Sequence, residues 1–209
     1  MAYSDFTLYD ITQQFHVATD EETSLFAHID DRELSQHLAE TLKENLPLAL
    51  AINSEKARSE MIIAPLLIEL RKITHHAISL FSGLEFNVDA RQGLNGVCDF
   101  MISCSREQLF ISAPLLVIIE AKNENIKGGI PQCLAAMIAA RFFNAQYGND
   151  LPTLYGAVTT GEIWKFLQLK ADTAYIDADV YYAIQPEKIL GILLNMVAST
   201  TAALSEDLG

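Results

Sequence analysis

At 209 residues, half of them hydrophobic and a fifth charged, the chain is long enough to bury its own core, which excludes a fibrous or largely disordered protein. The formal net charge of −13 excludes a broad basic surface of the kind that coats nucleic acid. It leaves room for a local basic groove or a metal-assisted site.

Three cysteines, Cys98, Cys104 and Cys133, lie in apolar segments. An odd number so placed argues against a disulfide scaffold and for a reducing compartment, and no Cys/His spacing suits zinc. The N-terminal MAYSDFTLYD has neither a basic start nor a long apolar run, so no signal peptide is expected. Ile189 to Ser205 is interrupted by Asn195, Ser199, Thr200 and Thr201, and reads as a packed C-terminal helix rather than a membrane span. A soluble, cytoplasmic protein is expected.

Residues 1–29 mix apolar and polar positions, with Phe6, Leu8, Phe15 and Val17 as contacts, and do not choose between strand and helix. Asp30 and Asp31 are expected to cap a helix running to about Leu46, with Leu34, Leu38 and Leu42 at helical spacing and Pro47 ending it. A second helix is expected from Ser54 to about Ile73, with Glu60, Ile63, Leu67 and Leu70 close to one stripe. Pro65 lacks the N–H that would bond back to Met61, so a kink or break is expected there.

Ser79 to Asp89 reads as a strand in which Gly83 marks a bulge, followed by a turn over Gln92 to Gly96. Gly96 to Ser103 (GVCDFMIS) is a central strand with one charge inside it, Asp99. Pro114 to Lys122 (PLLVIIEAK) is a strand buried on both faces. Strict alternation sets Leu116, Ile118, Glu120 and Lys122 on one face and Leu115, Val117, Ile119 and Ala121 on the other.

After Gly128-Gly129, Pro131 opens a helix whose small residues Ala135, Ala136 and Ala139, on a face with Gln132 and Phe143, permit close approach to the sheet. Leu154–Thr159 and Glu162–Leu169 flank Thr160-Gly161 as a hairpin. Tyr181–Ile184 reads as an edge strand, and Pro186 opens the last helix, which ends near Leu204.

The isolated charges form an ordered set: Glu60 on a helix, Asp99 within a strand, Glu120 and Lys122 at the end of the next, and Gln132 on the following helix. Read singly, each is ordinary. Glu120 and Lys122 make a strand-end ion pair, Glu60 a surface charge, Asp99 a turn-facing strand residue, and Gln132 a helix-start contact. In this order they resemble the PD-(D/E)xK nuclease superfamily, in which a helix Glu and a strand Asp precede (D/E)-x-K on the adjoining strand, and some branches add a Gln on the next helix. Cys98 stands where that pattern has Pro. The segments EKARSEMIIAP, GLNGVCDFMIS, IIEAKNENIKGG and YGAVTTGEIWKF also resemble a mostly cyanobacterial family that carries no established substrate.

The resemblance implies an α/β, restriction-endonuclease-like fold, a central mixed β-sheet flanked by helices with an αβββαβ core. It implies a single domain over residues 1–209, with its core at about 53–170, an N-terminal helical extension and a packed C-terminal helix. It further implies Mg²⁺ or Mn²⁺ held by Asp99, Glu120, Glu60 and the backbone carbonyl of Ala121, with Lys122 and Gln132 completing the catalytic set. Two converging carboxylates repel unless a cation or proton lies between them, and a hard divalent ion takes carboxylate and phosphate oxygens.

The expected activity is phosphodiester hydrolysis of nucleic acid, DNA foremost, by a homodimer or a larger DNA-processing complex. The alternative is a catalytically silent nuclease-fold protein serving as a binding or assembly subunit of such a system. Lys122, Lys127, Arg141 and Lys165 are candidates to ring the site and contact phosphates, and Trp164 and Phe166 to stack on bases, although hairpin aromatics more often pack. His75-His76 reads as a solvated helix end, and Asn123 and Asn125 as loop contacts.

Overall fold

The computed structural model describes residues 1–206. Their centre is an eight-stranded mixed sheet. The elements are α1 (Leu8–Phe15), β1 (Ala18–Asp20), α2 (Gln36–Ile52), α3 (Glu55–Arg58), α4 (Ala64–Ile73), β2 (Ser79–Glu85), β3 (Val97–Ser103), β4 (Leu115–Ala121), α5 (Ile126–Gln146), β5 (Thr153–Thr159), β6 (Ile163–Lys170), β7 (Thr173–Ile176), β8 (Tyr181–Tyr182) and α6 (Pro186–Glu206). The sheet order is β1-β7-β6-β5-β4-β3-β2, with β8 also on β6. The pairs β4–β5 and β1–β7 are parallel and the others antiparallel.

Two apolar layers sandwich the sheet. On one face α2, α4 and α6 bury Leu38, Leu66, Leu67, Leu70, Ile192 and Leu193 against Phe100, Val117 and Ile119. On the other, α5 and the N-terminal segment bury Cys133, Leu134, Met137 and Tyr3 against Met101 and Ile118. The helix α6 is long and apolar enough, by length and composition, to cross a membrane. Here Ile189, Leu190, Ile192, Leu193 and Met196 lie in the core instead.

The strand β4 is buried along its whole length, as its uninterrupted apolar run requires. Its alternation reverses at one point. Ile102 pairs with Val117 but Ser103 pairs with Leu115, so Leu116 is an extra residue on β4, a β-bulge. Leu116 therefore packs with Val117 and Ile119 on the α4 side, and Leu115 joins Ile118 beneath α5, the reverse of strict alternation. Gly83 is not a bulge: the β2–β3 register is unchanged across it, and it instead takes the left-handed conformation, φ +65°.

The helix α2 begins later and ends later than its pattern predicts. Ser35, not Asp30 or Asp31, is its N-cap, accepting from Leu38 N at 3.2 Å. Pro47 lies inside α2, where it and Lys43, whose carbonyl it leaves without a helical donor, both face solvent. Pro65 acts differently. Ahead of it, Ser59–Ile63 forms a π turn, and Pro65 sits in the first turn of α4. The Met61 carbonyl, which Pro65 cannot satisfy, accepts instead from Asn45 Nδ2 at 3.0 Å. The extra residue of the π turn rotates the preceding turn by about 100°. Glu60 thereby leaves the buried stripe of Ile63, Leu67 and Leu70 and is exposed.

The helix α5 starts at Ile126, with Gly128 and Gly129 inside its first turns, and Asn125 is its N-cap, accepting from Gly128 N at 2.9 Å. It lies so close to the sheet that a Cβ on Gly129 would sit 2.6 Å from Val158 Cγ1, and one on Gly156 2.5 Å from Met137 Sδ. Two short strands, β1 and β7, are absent from the pattern reading above and extend the sheet beyond β6.

Candidate active site

Glu120 is the last charge before the end of β4, and it is completely buried. Continuing the β3–β4 register by one residue from Phe100–Ile119 sets Asp99 opposite Glu120. Ala121 N donates to Asp99 Oδ2 at 2.8 Å, so Ala121 enters the site through its amide N–H. The next residue, Lys122, is 22% exposed and brings Nζ to 3.6 Å from Glu120 Oε2. From α5, Gln132 Nε2 donates to the same oxygen at 2.6 Å. The other oxygen, Oε1, is buried and meets no donor among the described residues, and a side-chain hydrogen bond between the Glu120 and Asp99 carboxyls forms when one of them holds a proton.

Burial pushes the Glu120 carboxyl up to about 8, the neighbouring Asp99 carboxylate adds to the rise, and Lys122 only partly opposes it. The surroundings are dry. Cys98 and Cys133 are free thiols pushed well up, first by burial and then by the charge of Glu120. Cys133 Sγ lies against the carbonyls of Ile118 and Ala157, at 3.6 and 3.7 Å.

Asp99 also opens onto solvent. It lines a cleft of about 360 Å³ with Glu60, Lys56, Ser59, Ser82 and Gly83. The missing side chain at Gly83, level with Asp99 in the β2–β3 register, widens this side of the cleft. Glu60 is therefore on the Asp99 side of the site, but its side chain is 62% exposed and its carboxylate is paired with Lys56 Nζ at 3.6 Å. The five side chains expected to act together thus form a tight group of four, Asp99, Glu120, Lys122 and Gln132, with Glu60 across the cleft.

The remaining candidates divide. Lys127 and Lys165 line one recess beside α5. Arg141 lies elsewhere, donating to Ala171 O at 2.7 Å and facing Asp172. Trp164 and Phe166 are fully buried, and the indole donates to Gly161 O at 3.3 Å, so neither offers a face to a base. His75 and His76 follow the end of α4 in exposed, left-handed positions.

One residue of the site escapes the pattern reading. Arg58, 9% exposed, donates from Nη1 to the carbonyls of Asn123 and Thr160, each at 3.1 Å, and from Nη2 to Asn53 Oδ1 at 2.7 Å. It fastens the loop after Lys122 to the β5–β6 turn and to the start of α3. The available signal was its place four residues before the buried Ile62, a charge on an apolar stripe.

Among the described residues no three His, Cys, Asp or Glu side chains gather closely enough to make a metal centre alone. The donors fit a different kind of site. Mg²⁺ commonly uses one or two carboxylates, keeps several waters and takes its remaining oxygens from a substrate phosphate. Asp99 and Glu120 supply two carboxylates of that kind, and Oε1 of Glu120 meets no donor among the described residues. Comparison with models of known protein families gives no match, and no curated protein matches the chain.

Proposed function

We propose that this chain is a divalent-metal-dependent nuclease with a restriction-endonuclease-like core of the PD-(D/E)xK type, hydrolysing phosphodiester bonds in DNA. The observation that carries this reading is Glu120: a buried acid facing a second acid, Asp99, with Lys122 beside it and one oxygen that meets no donor among the described residues. An unpaired oxygen on a buried acid is costly unless a cation or proton meets it. The order α4-β2-β3-β4-α5-β5 supports the same reading, since it is the αβββαβ succession of that fold.

In this reading Asp99 and Glu120 would hold Mg²⁺ or Mn²⁺, which would make water more acidic and offset charge on the phosphate oxygens. Gln132 fixes the Glu120 carboxylate by holding Oε2, which leaves Oε1 for a cation. Lys122, part-exposed beside Glu120, presents an ammonium group to an incoming phosphate. Ala121 N–H steadies Asp99. Glu60 joins only after leaving Lys56, so it is the adjustable member of the set.

Purified protein incubated with DNA and Mg²⁺ or Mn²⁺ tests the proposal. Cleavage by wild type that Asp99→Asn and Lys122→Met abolish is the expected result. Wild type and variants equally inert on DNA would end it.

A second reading, a silent nuclease fold kept for binding or assembly within a DNA-processing system, is favoured by the outward-turned, ion-paired Glu60 and by the net charge of −13. Gel shifts and light scattering test it; absence of both DNA binding and self-association leaves it without support.

A further inference from the structure

A recess of about 590 Å³ lies beside the first turns of α5, lined by Ile130, Ile176, Tyr182, Lys127, Lys165 and Glu21 among others. That volume is in the range of about 300–1,000 Å³ usual for small-ligand sites. Its position relative to Glu120 follows from register. Glu120 pairs with Val158, and Val158 with Lys165, so all three stand in one row on one face of the sheet. Two strand spacings separate Glu120 from Lys165, about 10 Å. Lys127 stands between the two in sequence, five residues after Lys122.

The lining has three parts that suit one kind of ligand. Its floor is aliphatic. Its lining includes an aromatic ring, Tyr182, 43% exposed, and Val180 at 42%, an exposed apolar patch. Its cations are free of carboxylates: Lys127 is exposed and makes no ion pair among the described residues. Lys165 Nζ donates to the carbonyls of Ala178 and Asp179, at 3.3 and 3.2 Å, and makes no ion pair among the described residues. Glu21 is the one acid of the lining, and its carboxylate is an acceptor for an exocyclic amino group.

We infer that this recess seats an unpaired base of a single-stranded nucleic acid, stacked on Tyr182, with the flanking phosphates met by Lys127 and Lys165. The inference rests on the nuclease reading and names its substrate class. A duplex hides its bases and offers two lines of phosphates to a surface whose net charge is −13. A single strand crossing the strand ends offers one line, plus a base with a face to stack. The aromatic role thus moves from Trp164 and Phe166, which are buried, to Tyr182, which is not.

The test is fluorescence anisotropy of the full chain with a short labelled cytosine-rich oligonucleotide, as single-stranded DNA, as single-stranded RNA and as DNA duplex, without divalent metal. The single strands should bind more tightly than the duplex, and the two single-stranded arms report whether the sugar matters. Tyr182→Ala should weaken single-strand binding roughly 5- to 100-fold, and Tyr182→Phe should keep it. Lys127→Ala, at an exposed position without an ion pair among the described residues, carries little folding risk and should lower the log–log salt slope by about 0.7.

Equal or tighter duplex binding, or binding unchanged in both Tyr182→Ala and Lys127→Ala, overturns the inference. The two proposals fail separately. Metal-dependent cleavage that ignores Tyr182 and Lys127 leaves the nuclease standing without this subsite. Tyr182-dependent binding without cleavage in any metal leaves the subsite without the nuclease.

Discussion

Gln132 Nε2 holds Glu120 Oε2 at 2.6 Å, and that contact distinguishes the two oxygens of one buried carboxyl: one is held by a donor and the other meets none among the described residues. A helix laid very close to a sheet makes it possible, because Gln132 is one turn beyond the Gly129 that lets α5 descend onto β5. Packing and site chemistry are therefore coupled through the first turns of α5.

The pH dependence of stability follows from the same carboxylate. Glu120 rises from 4.5 to about 8 in the folded chain, chiefly through burial and then through Asp99. Between those values the folded state holds a proton that the unfolded state has released, so stability falls as pH rises through the window and levels off above it. The size is on the order of a few kcal/mol. Urea denaturation of metal-free protein across this range should show the decline, and Glu120→Gln should flatten it. A stability that climbs from pH 5 to pH 8 contradicts the burial described for Glu120.

Asn45 substitutes for the hydrogen bond that Pro65 cannot make. Asn45→Ala should cost about 1–3 kcal/mol by orphaning the Met61 carbonyl. Pro65→Ala restores an N–H near that carbonyl and should recover part of the loss in the double variant. A double-mutant cycle by chemical denaturation measures the coupling; strict additivity would show that the amide and the proline act independently.

Gly129→Ala should cost about 1–3 kcal/mol, because its Cβ meets Val158 Cγ1 at 2.6 Å and Lys122 Cγ at 3.0 Å. It should also displace Lys122 and reduce any cleavage. Gly148, with φ +74° and open space about it, is the contrast: Ala there should cost only the strain of a left-handed residue, about 1 kcal/mol. Thermal melts of both variants check the ordering.

The central strands, α5, the β5–β6 hairpin and α6 were legible because their apolar runs and turn residues agree with their tertiary places. The misses have local causes. The bulge at Leu116 inserts one residue where side-chain pattern carries no mark, since Leu suits either face. The π turn at Ser59–Ile63 breaks helical phase, so Glu60 fell on the right element but on its exposed side. The strands β1 and β7 are three and four residues long and pair with each other in parallel across most of the chain, beyond the reach of local periodicity. Asp99, Glu120 and Gln132 were legible because each is a polar group in an apolar setting, and Lys122 because it stands two residues after Glu120 at the exit of the apolar run. Arg58 was not, because it stands among other charges in EKARSE.

Calorimetric titration of Mn²⁺ into the metal-free chain near pH 7 tests the Asp99–Glu120 site most directly. Glu120 is mostly protonated at that pH, so binding should release a proton, visible as an enthalpy that changes with the ionisation heat of the buffer. The account predicts Mn²⁺ binding with proton release in wild type, lost in both Asp99→Asn and Glu120→Gln. A wild type that binds no Mn²⁺, or variants that bind it as wild type does, would contradict it.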